Sequence, residues 1–373
     1  MNKKINISVV GTRGYPYVYS GYETFVKQLS ERLVLKNCNV TVYCHKGLFK
    51  NKPKQINGIR LVYVPTFESK ILSQPIHSFL SIIHACFSNT EVLLVVNSAN
   101  GPFGLLTKLF RIPTAINVDG LEWLRPKWRG LGSIYFKWAS KMATLFYDQI
   151  INDSDEMRKV YLDLFKRDSK VIAYGANIRK SKNPDLITFW NIKKREYYLV
   201  IGRLIPDNNA DLIIKGFIKS NSNKKLVIVG DVPYEDTYAS SLKKMVDTRL
   251  IFTGYVNDQN ILAELYHNCY VYIHGHEFGG TNPTMIKALA YGSAILALDT
   301  VFNKEMLQKG KYGLFFKKEI SSLSSSINYC ENEKKIISKI RKASVFGINK
   351  KYNWDFITEQ YIDVFKSLVV QRK

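Results

Sequence analysis

The chain has 373 residues, 46% hydrophobic and 13% aromatic, which is enough for two ordinary domains with full cores and excludes a disordered chain. Its formal net charge is +23, with +12 on residues 1–175 and +11 on the rest, so the excess is not confined to a basic arm. Such a field attracts anions: phosphorylated substrates, anionic lipid headgroups or nucleic acid. Five scattered cysteines without a CxxC pair suit a reducing cytosol, and no apolar run reaches the roughly 18 residues of a membrane span.

The first element is the apolar strand Ile5–Val10, which stops at Gly11 and is too short for a leader peptide. GTRGYP follows, then a helix with Phe25, Val26, Leu29 and Leu33 on one face, then the strand Asn39–Cys44. This is a βαβ unit, which implies a parallel sheet. Ile59–Pro65, Glu91–Asn97, Pro113–Asp119 and Asp148–Ser154 continue it. A second set comprises Tyr197–Leu204, Lys225–Asp231, Arg249–Val256, Cys269–Gly275 and Ser293–Asp299, with helices predicted over 209–220, 236–247, 258–268 and 283–291 between them. The polar stretch Asn177–Leu186 is the expected join. An amphipathic helix is expected over 352–368. The fold class read from this order is α/β, two Rossmann-like doubly wound domains facing a central cleft, with boundaries 1–177 and 178–351. The last segment, 352–373, is expected to pack back on the first domain.

Chemistry is expected in the loops at the strand ends. HGHEFGGTNP runs from a strand into a helix. Thr281 reads as its N-cap and Pro283 as its first turn. Gly279 and Gly280 allow the backbone close to a ligand, and the free N–H groups of a helix start favour phosphate. Glu277 is an acceptor for hydroxyls there. Phosphate donors beside a hydroxyl acceptor describe a sugar phosphate. Arg203, after the first strand of the second set, suits a bidentate phosphate contact. GTRGYPYVYSGYE, from Gly11 to Glu23, reads as a flexible glycine lip that matches no standard phosphate-loop pattern. Asp119 and Glu122 lie past a strand end as candidate acid–base groups or as loop caps. Asp153-Ser154-Asp155 imitates a metal motif but reads as a helix start, and His274 with His276 alternates across a strand end, so no metal site is assigned.

VGTRGYP, GYETFV, INVDGLEW, KVIAYGA, YYLVIGRLIPDNN and HGHEFGGTNP together resemble the GT-B fold glycosyltransferases of family 4, and within them the bacterial rhamnosyltransferase branch of capsular and cell-surface polysaccharide synthesis. The resemblance implies a retaining, metal-independent transferase with no cofactor beyond its nucleotide-sugar donor, here dTDP-rhamnose. It implies catalytic-site roles for Asp119, Arg203 and Glu277. Donor contacts fall to Gly11, Gly14, Arg203, Asn208, Gly279, Gly280, Thr281, Asn282 and Lys287. Asp119 stands where many relatives carry a His. Asn208, with Asn209 beside it, replaces the family's Lys, as the rhamnosyltransferase branch also does. Lys287 replaces the Glu that in the family holds the nucleotide ribose; it would pair with the diphosphate, neutralise Glu277, or mark weakened donor binding.

The implied acceptor is a lipid-linked oligosaccharide at the cytoplasmic face of the plasma membrane, with the protein peripheral on that anionic surface. The segment Trp123–Phe146, with tryptophans between basic residues, reads either as the lipid contact or as a core-packed helix with a basic outer face. The competing function is a catalytically impaired nucleotide-sugar binder within an assembly complex. A nucleotide-sugar epimerase lacks its His and acid constellation here, and no nucleic-acid module is present.

Overall fold

The computed structural model describes residues 4–16, 21–66, 69, 72–128, 130–232, 235–348 and 350–371, with Lys127 and Lys350 by backbone only. The chain divides into two compact units, Met1–Tyr174 with Trp354–Lys373, and Gly175–Asn353.

The N-terminal unit holds strands Asn6–Val10 (β1), Asn39–His45 (β2), Gln55–Ile56 (β3), Ile59–Val64 (β4), Val92–Val96 (β5), Thr114–Val118 (β6), Gln149–Asn152 (β7) and Lys170–Val171 (β8). Their order is β3-β4-β2-β1-β5-β6-β7-β8, parallel throughout except for the β3–β4 pair. Ile7 of β1 stands between Val40 of β2 and Val92 of β5. β5 and β6 are buried along their whole length, as VLLVV and TAINV require of strands covered on both faces. The connecting helices are Gly21–Leu35 (α1), Ser73–Cys86 (α2), Gly104–Leu109 (α3), Leu131–Phe146 (α4) and Asp155–Phe165 (α5). NDSDE is a helix start: the Ser154 hydroxyl accepts from the Met157 N–H and caps α5.

The C-terminal unit holds Tyr197–Ile201 (β9), Lys225–Val229 (β10), Leu250–Gly254 (β11), Val271–His274 (β12), Ile295–Leu298 (β13) and Leu314–Phe316 (β14). The order β11-β10-β9-β12-β13-β14 reverses direction between β9 and β12, which is the Rossmann order. Its helices are Ala210–Ile218 (α6), Thr237–Lys243 (α7), Gln259–Asn268 (α8), Pro283–Ala290 (α9), Val301–Met306 (α10), Ile320–Asn332 (α11) and Lys334–Ser344 (α12). Phe217, Ile213, Leu226, Ile273, Leu296 and Leu323 form the centre of its core, each worth roughly 1.5–3 kcal/mol by burial. The polar stretch after Asn177 is held within this unit. Buried Glu264 of α8 accepts from the Lys182 and Asn183 N–H groups at 2.6 and 2.9 Å and from the Ser181 hydroxyl at 2.6 Å.

The chain then returns to the first unit as Trp354–Val370 (α13), where Trp354, Tyr361 and Phe365 are buried. Phe25 of α1 meets the rings of Tyr361 and Tyr174 at 5.6 and 5.1 Å. Among the described residues no helix is long and apolar enough to cross a membrane.

Candidate active site

In each unit the order of strands switches direction beside the unit's opening strand, β1 or β9, and ligands in open α/β sheets bind at the carboxyl ends there. The two switch points are built differently.

In the N-terminal unit Gly11, Thr12, Gly14 and Tyr15 are all buried, so this part of the expected lip is packed structure; residues 17–20 lie outside the described residues. Gly11 has φ +105°, and a Cβ there would lie 2.3 Å from the Val96 carbonyl oxygen. Gly14 backs onto Cys44, where a Cβ would meet Sγ at 2.8 Å. Both positions need glycine for packing, whether or not a ligand comes near. Buried Glu23 accepts from the Arg13 N–H at 3.2 Å and so ties α1 back to this loop.

β6 delivers Asp119. Its carboxylate accepts from the Tyr22 hydroxyl and, at 2.5 Å, from the Tyr174 hydroxyl. The Tyr174 hydroxyl also lies 3.2 Å from Asn117 Oδ1, and Asn117 Nδ2 donates to the Tyr361 hydroxyl at 3.0 Å. Burial pushes the Asp119 carboxyl well above the usual range, buried Asp153 adds to the rise, and Tyr174 and Arg125 oppose it. Glu122, the other expected acid, is engaged: Arg125 Nε lies 2.9 Å from its Oε1, and Trp128 Nε1 donates to its Oε2 at 2.8 Å. It stabilises its own loop. Tyr22 and Tyr174 were not singled out from the sequence, and Asp153 was read only as part of a helix start; no local spacing marks the three as neighbours of Asp119.

In the C-terminal unit the β9 strand ends in Gly202 and Arg203. Arg203 is exposed, with no carboxylate in ion-pair distance among the described residues. Its carbonyl accepts from Asn208 Nδ2 at 2.8 Å, and Asn208 Oδ1 meets His276 Nδ1 at 2.9 Å, so the β9 and β12 loops are linked. Gly230, at the end of β10, has φ +122°, and a Cβ there would lie 2.1 Å from the Gly202 carbonyl oxygen. Asn209 Nδ2 donates to the Gly275 carbonyl at 2.9 Å and reaches Glu277 Oε2 at 3.4 Å.

Glu277 Oε2 is also 2.6 Å from Lys318 Nζ. Lys318, just past β14, is thus the cation on Glu277. Lys287 is not: its ammonium lies 3.5 Å from Gln259 Oε1. Arg179, which bonds the Gln259 carbonyl and Asn260, stands nearby. Burial, and then the Arg179 charge, lower the Lys287 pKa. The N-cap of α9 is Asn282, whose Oδ1 accepts from the Thr284 N–H at 2.9 Å; Thr281, the expected cap, is buried one residue earlier. With Pro283 at the first helical position, the cap falls on the residue immediately before it. His274 is fully buried, bonded to the Tyr272 hydroxyl, and its pKa is lowered to about 3 by burial.

Residues 183–345 match the family model described as glycosyl transferases group 1, and residues 4–177 match a domain of unknown function, DUF1972. No curated protein matches the sequence. Among solved structures, sucrose-phosphate synthase from Thermosynechococcus elongatus superposes with TM-score 0.82 at 15% identity, covering 99% of this chain and 100% of that one. The Anabaena protein HepE in complex with UDP-glucose gives TM-score 0.77 at 15% identity, covering 97% and 100%. WaaG, a glycosyltransferase involved in lipopolysaccharide biosynthesis, gives 0.69 at 12% identity, covering 97% and 99%. Residues 183–345 are thus similar to the glycosyl transferases group 1, and the chain has the fold of the GT-B glycosyltransferases.

Proposed function

We propose that this protein is a retaining, metal-independent glycosyltransferase that moves L-rhamnose from dTDP-rhamnose to a lipid-linked oligosaccharide in capsular or cell-surface polysaccharide synthesis. The observation that carries the transferase reading is the exposed Arg203, with no carboxylate in ion-pair distance among the described residues, on a loop bonded through Asn208 and His276 to the segment that opens α9. A guanidinium and a set of helix-start N–H groups in one unit suit a departing diphosphate. The HepE complex holds a nucleotide sugar, UDP-glucose, and WaaG is involved in lipopolysaccharide biosynthesis; both are consistent with this donor and acceptor class.

In this reading the acceptor hydroxyl attacks the anomeric carbon on the face from which the diphosphate leaves. The carbon–oxygen bond to phosphate breaks, and the proton passes to the departing phosphate oxygen. Arg203 and the N–H groups at Gly279, Gly280 and Thr281 take up the growing negative charge. Glu277 Oε2 is held by Lys318 and Asn209, which leaves Oε1 to accept from a donor-sugar hydroxyl. Asp119, with its raised pKa, is suited to donate a hydrogen bond to a sugar oxygen.

Lys287 favours a second reading, a nucleotide-sugar binder with impaired catalysis. An ammonium beside Arg179 cannot accept ribose hydroxyl protons as a carboxylate would. Calorimetry with dTDP-rhamnose, UDP-glucose, UDP-galactose and GDP-mannose separates these. Selective, Arg203-dependent binding of dTDP-rhamnose followed by transfer supports the proposal. Binding of another donor changes the sugar but not the class. Binding without transfer to lipid-linked acceptors supports the second reading, and no binding of any donor refutes both.

A further inference from the structure

The strands of the N-terminal unit are not all covered alike. β5, VLLVV, is apolar throughout, as a parallel strand covered on both faces requires, whereas β2, NVTVYCH, alternates. Val40 and Val42 are buried on one face of β2; Asn39, Thr41 and Tyr43 take the other. Thr41 stands opposite Ser8 of β1 on one side and Arg60 of β4 on the other, and Arg60 stands opposite Gln55 of β3. Residues paired in register share a face. Ser8, Thr41, Arg60 and Gln55 therefore form one polar row across four adjacent strands. Asn39 and Asn6 are the next pair toward the amino ends, joined by an amide hydrogen bond of 2.8 Å.

This row is the wall of a cavity of about 760 Å³, a volume that suits a small molecule. At the last turn of α2 the Tyr43 hydroxyl meets His84 Nδ1 at 2.9 Å. Beside it Ser8 Oγ lies 2.8 Å from Thr90 Oγ1, Thr90 Oγ1 lies 2.9 Å from Ser88 Oγ, and the Ser88 hydroxyl donates to the Ala85 carbonyl at 3.0 Å. Among the described residues no Asp or Glu lines the cavity; Glu91, next to Thr90, accepts from the Asn6 N–H at 3.0 Å. Two cations do line it. Arg60 and Lys54 are exposed, and neither has a carboxylate in ion-pair distance among the described residues. The side chains of Thr41 and Gln55 are likewise without a hydrogen-bond partner among the described residues. Burial raises the Tyr43 pKa, and hydrogen bonding and the Arg60 charge counter part of the rise, since both side chains face the cavity. The cavity lies at the amino ends of the strands, the opposite edge of the sheet from Gly11 and Asp119.

We propose that this cavity at the amino ends of β1, β2 and β4 is a second ligand site, for a phosphorylated sugar, with Arg60 and Lys54 on the phosphate and the Thr41–Gln55 row on the sugar hydroxyls. Two cations with no carboxylate partner suit a phosphate, and the guanidinium can grip it with two parallel hydrogen bonds. Hydroxyl and amide side chains both donate and accept, as the hydroxyls of a sugar demand. A nucleotide fits less well, because the Tyr43 ring is buried edge-on to His84 and offers no open face for a base to stack on. The site uses no residue of the donor loops, so its failure and that of the transferase reading are separate events.

The test is calorimetry of the full chain with glucose 1-phosphate, glucose 6-phosphate, fructose 6-phosphate and ribose 5-phosphate, against glucose, inorganic phosphate and thymidine monophosphate. At least one sugar phosphate should bind about tenfold or more tightly than glucose or inorganic phosphate. Arg60→Gln should weaken that binding about thirtyfold, Thr41→Val about fivefold and Lys54→Gln about threefold. Arg203→Ala, in the C-terminal unit, should leave it unchanged. Arg60 and Lys54 are exposed and Thr41 is half-buried, and circular dichroism confirms that each variant is folded. Failure of all four sugar phosphates to bind overturns the proposal, as does equal binding of glucose or of inorganic phosphate. Binding that Arg203→Ala abolishes and Arg60→Gln does not belongs to the C-terminal unit and overturns it as well. Tighter, Arg60-dependent binding of thymidine monophosphate assigns the cavity to a nucleotide and overturns the sugar phosphate.

Discussion

In the N-terminal unit the switch point is closed on itself. Gly11, Thr12, Gly14 and Tyr15 after β1 are buried, and Asn117, Asp119, Tyr174 and Tyr361 hydrogen-bond to one another. In the C-terminal unit the loop after β9 presents Arg203 to solvent, and Glu277 shares one carboxylate oxygen with Lys318 and Asn209. Polar groups that satisfy one another are rigid and hold a geometry, whereas partly satisfied groups at a surface remain available to a ligand. The same place in the topology is therefore held by its own hydrogen bonds in one unit and left partly unsatisfied at the surface in the other.

The harshest test of that contrast is Gly230→Ala. The added methyl would fall 2.1 Å from the Gly202 carbonyl at a φ of +122°. It should destabilise the C-terminal unit by about 3 kcal/mol or more, read by chemical denaturation, and move the Arg203 loop with it. Arg203→Ala should leave stability unchanged and lower transfer about a hundredfold, read as kcat/KM; an effect on the melting temperature instead would make Arg203 structural. Tyr361→Phe deprives Asn117 Nδ2 of its acceptor and should lower the stability of the N-terminal unit by about 1–2 kcal/mol, with no change in donor affinity.

Asp119→Asn should act with the opposite sign. The folded pKa of Asp119 is raised, so folding favours the protonated carboxyl. That preference is fully met below the unfolded pKa near 3.9 and is lost as pH climbs through the folded value. The variant should melt modestly higher than the parent at pH 7, with the gap closing toward pH 4, while transfer falls. An equal shift at both pH values would show that Asp119 does not hold its proton. The smallest effect is expected from Lys318→Ala, an exposed ion pair worth about 0.2–1 kcal/mol; it should alter sugar selectivity in calorimetry more than stability.

Much of this architecture is visible in the residues themselves. Runs such as ISVV, VLLVV and YYLVI are short, β-branched and ended by turn residues, so the parallel strands and the Rossmann alternation can be read off them. Two-residue strands such as β3 and β8 carry no period to detect, and the Ser-rich α11 has weak helix formers along it. At the site, Arg203, Glu277 and the start of α9 are local features of one loop each. The pairs that decide their behaviour are not local. Lys318 reaches Glu277 across 41 positions, and Tyr361 reaches Asn117 across 244. No spacing rule links such residues, so the sequence alone left Lys287 as a candidate partner of Glu277. Thr281 and Asn282 are both good caps, and only the placed helix shows that Asn282 does the capping.

Because α13 belongs to the N-terminal unit, residues 4–174 leave the ribosome without part of their own core. Residues 175–353 must be made before Tyr361 can reach Asn117 or Phe365 can fill its place. The usual order of synthesis, in which the first domain finishes first, is therefore inverted. The contiguous C-terminal unit can close while its predecessor still shows Phe25 and an unfinished polar network to chaperones and proteases. A chain that stops short of Trp354 has every described strand of both sheets and still lacks the Tyr361 contact that supports Asn117 behind Asp119.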